Sequence, residues 1–61
     1  MIILGIDPGL ATLGYGVIRS ENGRCQLVQF GVLKTAAGQP LPSRLRSIFL
    51  GINQLMDIYE P

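Results

Sequence analysis

At Pro42 the hydrophobic period of this chain lengthens from that of strands to that of a helix, and this change commits it to a mixed α/β fold. Downstream, Leu45, Ile48, Phe49, Ile52, Leu55, Met56 and Tyr59 recur at steps of three and four, with Leu41 just ahead of them. That spacing predicts an amphipathic helix over about 42–59. Pro42 suits its first turn, and Glu60-Pro61 is a stop signal, because proline disfavours helix at the residue before it. Gly51 lies away from the apolar stripe, where it costs roughly 1 kcal/mol against Ala and permits a close neighbour.

Upstream, three strands are expected, over about 2–7, 13–19 and 24–34. In the first, Ile2, Leu4 and Ile6 share one face and Ile3, Gly5 and Asp7 the other. Apolar residues on both faces predict a central strand. In the second, Tyr15 and Val17 oppose Gly14, Gly16 and Ile18. Glycines at alternate positions leave one face without side chains, so that another group or backbone approaches closely. Asn22-Gly23 is a hairpin signal, since both residues tolerate left-handed conformations. The third strand sets Val28, Phe30 and Val32 against Leu27, Gln29, Gly31 and Leu33. The result is a three-stranded antiparallel meander followed by a helix, and a right-handed crossover through that helix would bring a fourth strand parallel to the first and beside it. That strand would fall just past Pro61.

The chain is 48% hydrophobic and 15% charged, with no repeat or low-complexity tract, which fits a globular core rather than disorder. Yet 61 residues bury only about 60% of the surface they expose when unfolded, so residues 1–61 are expected to be the N-terminal part of one larger domain. The net charge is +1, and Arg19, Arg24, Lys34, Arg44 and Arg46 form no cluster. Charge alone therefore does not point to nucleic acid, although a fragment can lack the basic surface of its parent. With no His and one Cys, nucleophilic catalysis by Cys/His or Ser/His/Asp is excluded within these residues, as is a structural zinc site. Cys25 reads as a small core or strand residue. Ile2 to Ile6 is too short for a signal sequence or a membrane span, and the expected compartment is the cytoplasm.

Asp7 carries the chemistry. A carboxylate closing a buried apolar strand is held at a cost unless a metal ion or polar cluster partners it. Pro8-Gly9 fits the middle of a type II turn, with Gly9 at positive φ, which would fix the backbone just after the acid. The competing reading is an Asx turn, with the Asp7 carboxylate accepting the Gly9 N–H. Gly9, Gly14 and Gly16 fit either a phosphate-approach surface or plain turn and bulge chemistry. Asp57, Glu60, Arg44 and Arg46 read as solvated, and Tyr15, Phe30 and Phe49 as core.

Ile3-Leu4-Gly5-Ile6-Asp7-Pro8-Gly9, then Gly14-Tyr15-Gly16-Val17-Ile18 and Leu41-Pro42-Ser43-Arg44-Leu45, closely resemble the start of RuvC-type Holliday junction resolvases. The resemblance covers nearly all of this chain and about the first third of the family's single ribonuclease H-like domain. It implies a bacterial, cytoplasmic, Mg²⁺-dependent endonuclease of recombination and repair, acting as a homodimer on four-way junction DNA alongside the branch-migration proteins RuvA and RuvB. It implies paired, symmetric nicks in two strands of like polarity. Of the family's four metal-binding carboxylates, only the first is matched here, by Asp7, as catalytic residue and metal ligand, with two Mg²⁺ ions per complete site. The others would follow Pro61, and Glu60 is not one of them. Members often have Thr where this chain has Leu13, so a hydroxyl near the site is expected to be lost. Alone, the 61 residues are expected to be inactive.

Actin-like and sugar-kinase ATPases also place Asp-x-Gly after a first strand, but usually continue with Ser or Thr where Leu10-Ala11 stands here. The RuvC-like segment of RNA-guided CRISPR nucleases opens similarly within a much longer chain. A non-enzymatic, truncated fragment is the remaining alternative.

Overall fold

The computed structural model describes residues 1–61. It contains strands β1 (Ile2–Asp7), β2 (Thr12–Glu21) and β3 (Arg24–Lys34) and one helix, α1 (Leu41–Tyr59). The sheet order is β1-β2-β3, and both pairings are antiparallel. β2 runs further at both ends than the pattern suggested. Its extension to Glu21, which pairs with Arg24, tightens the hairpin to the two residues Asn22 and Gly23, at φ 52° and 76°. Positive φ at both positions is the turn whose twist matches that of the flanking strands.

A bulge interrupts the β2–β3 ladder. Val17 pairs with Gln29 but Ile18 with Leu27, which leaves Val28 as the extra residue. Such an insertion bends the strand and sharpens its twist. The hairpin beyond it, from Glu21 to Phe30, is exposed throughout and helps draw the molecule out to 45 × 17 × 12 Å. Cys25 lies there, exposed, and is a strand residue but not a core one.

The core is a narrow strip between one sheet face and α1. Leu13, Val17 and Leu55 are its buried residues. Gly51 belongs to this contact: a Cβ there would stand 2.8 Å from Leu33 Cδ1, so the glycine is where helix and sheet come closest. The sheathed side of α1 therefore runs through Arg44, Ile48, Gly51, Ile52, Leu55 and Tyr59, while Leu45, Phe49 and Met56 of the expected stripe remain exposed. An apolar stripe this broad is wider than the surface three strands offer it. β1, expected to be central, forms an edge of the sheet, since no strand among these residues pairs with its outer side. Accordingly Ile3 and Ile6 are each 40% exposed. No helix is long and apolar enough to cross a membrane.

Candidate active site

Asp7 is the last residue of β1 and lies opposite Gly14 of β2. A Cβ added to Gly14 would sit 3.6 Å from that of Asp7, so the two positions face the same way. Two residues back, Gly5 lies opposite Gly16, and a Cβ on Gly16 would meet nothing within 4 Å. Strand alternation puts Gly5, Asp7, Gly14 and Gly16 on one face. The opposite face carries Leu13, Val17 and the helix. The glycines thus leave a bare, open strip of backbone beside the carboxylate, the arrangement that their alternate spacing suggested.

The turn that follows is held differently from the type II geometry expected of Pro8-Gly9. Gly23 is the only glycine with positive φ. Gly9 is required for another reason: a Cβ there would overlap the Thr12 carbonyl, a backbone group that cannot swing aside. The turn is anchored from β3, because Thr35 Oγ1 donates to the Leu10 carbonyl at 2.7 Å and the Thr35 N–H to the Ala11 carbonyl at 3.1 Å. Nothing in the sequence around Thr35 marks this role, since a Thr opening a loop looks like any polar linker residue. Gly9→Ala in the full-length protein is expected to lower stability by about 1–3 kcal/mol in urea titration, the range for a steric conflict that backbone must absorb. A midpoint unchanged from wild type would show that the turn can relax freely.

Asp7 itself is exposed, and its carboxylate accepts no hydrogen bond from Gly9 or any other group in the chain. The Asx-turn reading is therefore not what the structure adopts. An acid at the end of a rigid strand, unpartnered and facing open space, fits the demands of a hard cation for oxygen ligands. It supplies one ligand residue only, because no three His, Cys, Asp or Glu residues come together in this chain.

The other candidate residues separate clearly. Leu13 is on the face away from Asp7 and 4% exposed, so the hydroxyl expected to be missing there would not have reached this face of the sheet. Tyr15 is half-buried, its ring lying where a Gly31 side chain would be. Phe30 and Phe49, expected in the core, are 69% and 63% exposed. Arg44 ties the loop before the helix, with Nε donating to the Ala36 carbonyl at 3.2 Å. Glu60 caps α1 in the left-handed conformation, its N–H donating to the Met56 carbonyl.

An antiparallel meander with an acid closing its first strand, followed by a crossover helix, is the N-terminal part of a ribonuclease H-like fold. The sequence profile described as crossover junction endodeoxyribonuclease RuvC matches residues 3–61, and the chain belongs to that family. It is similar to the crossover junction endodeoxyribonuclease RuvC of Alkaliphilus metalliredigens, with 43% identity over 61 residues, which is 100% of this chain and 37% of the relative. Against the proteins of that name from Rubrobacter xylanophilus and Treponema pallidum it is 47% identical over 60 residues, 98% of this chain and respectively 34% and 31% of theirs. The chain thus spans about a third of the length of the relatives it matches.

Proposed function

We propose that this chain is the N-terminal part of a Mg²⁺-dependent endonuclease that resolves four-way DNA junctions in recombination and repair, in the bacterial cytoplasm. The observation that carries the reading is the Asp7 carboxylate: exposed, unpartnered and beside a strip of bare glycine backbone, in a chain whose relatives are named for junction cleavage. Mg²⁺ at such a site supplies charge stabilisation for the oxygens of a phosphodiester and lowers the pKa of bound water. Asp7 contributes ligand oxygens from a position that the strand and the Thr35-anchored turn hold in place. Gly14 and Gly16 let a phosphate and its sugar come close without meeting a side chain. The site is completed by carboxylates outside these 61 residues, with two ions per site.

Two symmetric nicks on a four-way junction require two sites related by a two-fold axis, which a homodimer provides. RuvA and RuvB are the partners the family assignment suggests. The test is to incubate the full-length protein with an end-labelled four-way junction and Mg²⁺. Paired nicks in two strands of like polarity are expected, with a matching linear duplex left uncut. An uncut junction together with nucleotide hydrolysis would favour an actin-like phosphate loop and overturn the nuclease reading.

A further inference from the structure

Residues 8–11, the turn between Asp7 and β2, form two hydrogen bonds within the chain, and Thr35 donates both: its hydroxyl to the Leu10 carbonyl at 2.7 Å and its N–H to the Ala11 carbonyl at 3.1 Å. The N–H bond extends the β2–β3 ladder one step past its last pair, Thr12 with Lys34. The hydroxyl bond belongs to no ladder and reaches one residue further toward the acid. Pro8 brings no N–H of its own to the turn.

Thr35 is itself fixed on both sides. Lys34 before it ends β3 in register with Thr12. Ala36 after it is a junction of three bonds: its carbonyl accepts from Arg44 Nε at 3.2 Å and from the Gln39 N–H at 3.0 Å, and its N–H donates to Gln39 Oε1 at 3.3 Å. Arg44 lies in the first turn of α1, so sheet, helix and turn are tied together at Thr35 and Ala36. Threonine is stiff at χ1, and a pinned backbone therefore also aims its hydroxyl. These bonds are internal, so they hold whatever else packs against the sheet.

Asp7 closes the β1–β2 ladder opposite Gly14, which leaves its backbone held by the ladder on one side and by this turn on the other. Mg²⁺ demands near-ideal octahedral geometry, so the placement of a ligand counts as well as its charge. We infer that Thr35 is a positioning residue for Asp7, its hydroxyl holding the turn at Leu10 in the course that presents the carboxylate to a divalent cation. This rests on the assignment of Asp7 to metal binding. Thr35 acts through the backbone of the turn, so it governs how tightly Mg²⁺ is held and leaves junction binding without metal alone.

The experiment uses the full-length protein with Thr35→Val, which keeps the branched shape and removes the donor, and Thr35→Ser, which keeps the donor. Mg²⁺ binding is read without DNA, from the metal concentration at the midpoint of the rise in melting temperature that a bound ion produces. Cleavage is followed in single turnover across a Mg²⁺ series, and junction affinity by gel shift without metal. Thr35→Val is expected to raise the Mg²⁺ concentration needed in the first two assays about tenfold, the lower end for loss of a group that orients a metal ligand. Junction affinity without metal is expected to stay unchanged, and Thr35→Ser to recover most of the loss. A lowered melting temperature for Thr35→Val with unchanged Mg²⁺ midpoints would mean a merely stabilising tie and would overturn the inference. So would a Thr35→Ser as impaired as Thr35→Val. Should Thr35→Val not fold, amide exchange in the metal-free wild type decides: protection of the Thr35 N–H supports the tie to the turn, and exchange at the unprotected rate overturns it. A wild type that neither binds Mg²⁺ nor cuts removes the nuclease reading and the inference with it, whereas a wild type that cuts beside a normal Thr35→Val removes the inference alone.

Discussion

Asp7→Asn in the full-length protein is expected to abolish Mg²⁺-dependent cleavage of a four-way junction while leaving junction binding largely intact. The substitution keeps the shape of the side chain and removes its charge. An amide oxygen is a weaker ligand for Mg²⁺ than a carboxylate, and Mg²⁺ tolerates few departures from its preferred octahedral set. Loss of a residue that merely orients a metal ligand costs about 10–100-fold, so loss of the ligand itself is expected to cost at least about 100-fold in single-turnover rate. Folding is not at issue, because Asp7 is exposed and accepts no hydrogen bond within the chain. A surface change of this kind stays within about 0.5 kcal/mol. Binding to a polynucleotide generally rests on many phosphate contacts, so junction affinity is expected not to depend on one acid. Gel-shift affinity without metal and cleavage with it are the two measurements needed. Cleavage retained within a few-fold of wild type would remove Asp7 from the metal site.

The elements were legible because their signals are local. Asn22-Gly23 dictates a two-residue reversal, and the helix spacing from Leu45 onward cannot be satisfied by a strand. The open strip beside Asp7 was legible too, since glycines at 14 and 16 must share a face, and only their register against β1 was unknown. What the sequence concealed depends on tertiary distances. Gly9 announces a special backbone, but whether positive φ or the nearness of the Thr12 carbonyl demands it is decided by how the turn closes. Thr35 reaches back 25 residues to the Leu10 carbonyl, a contact no periodicity carries. Phe30 and Cys25 sit in an alternating apolar segment and read as core, yet their pairing with Gly16 and Ser20 puts both on the sheet face that the helix does not cover. Gly51, set apart from the apolar stripe, proved to be the contact point because a missing side chain lets Leu33 approach.

The isolated 61-residue polypeptide is expected to show no cooperative thermal transition and no junction cleavage. Three buried residues, Leu13, Val17 and Leu55, make up its core. Leu27, Phe30, Phe49 and Ile58 are each more than 60% exposed, so much of the apolar surface that would stabilise a fold is still in water. The radius of gyration, 13.1 Å, exceeds the roughly 10.5 Å of a compact domain of this length, as the long hairpin requires. α1 has no side-chain cap at its start, and a lone two-layer contact along Leu33 and Gly51 gives it little tertiary support. β1 offers an open edge, which invites pairing with a further strand or with another chain. Circular dichroism should therefore show a shallow, nearly linear loss of signal on heating, and the urea profile should have no plateau. A sigmoidal melt with a defined plateau would show that the strip between β2, β3 and α1 suffices for folding. The cleavage half of the prediction has a separate cause. Even a well-folded chain holds one carboxylate where a divalent cation needs several oxygen ligands, so added Mg²⁺ should neither cut the junction nor shift the melt.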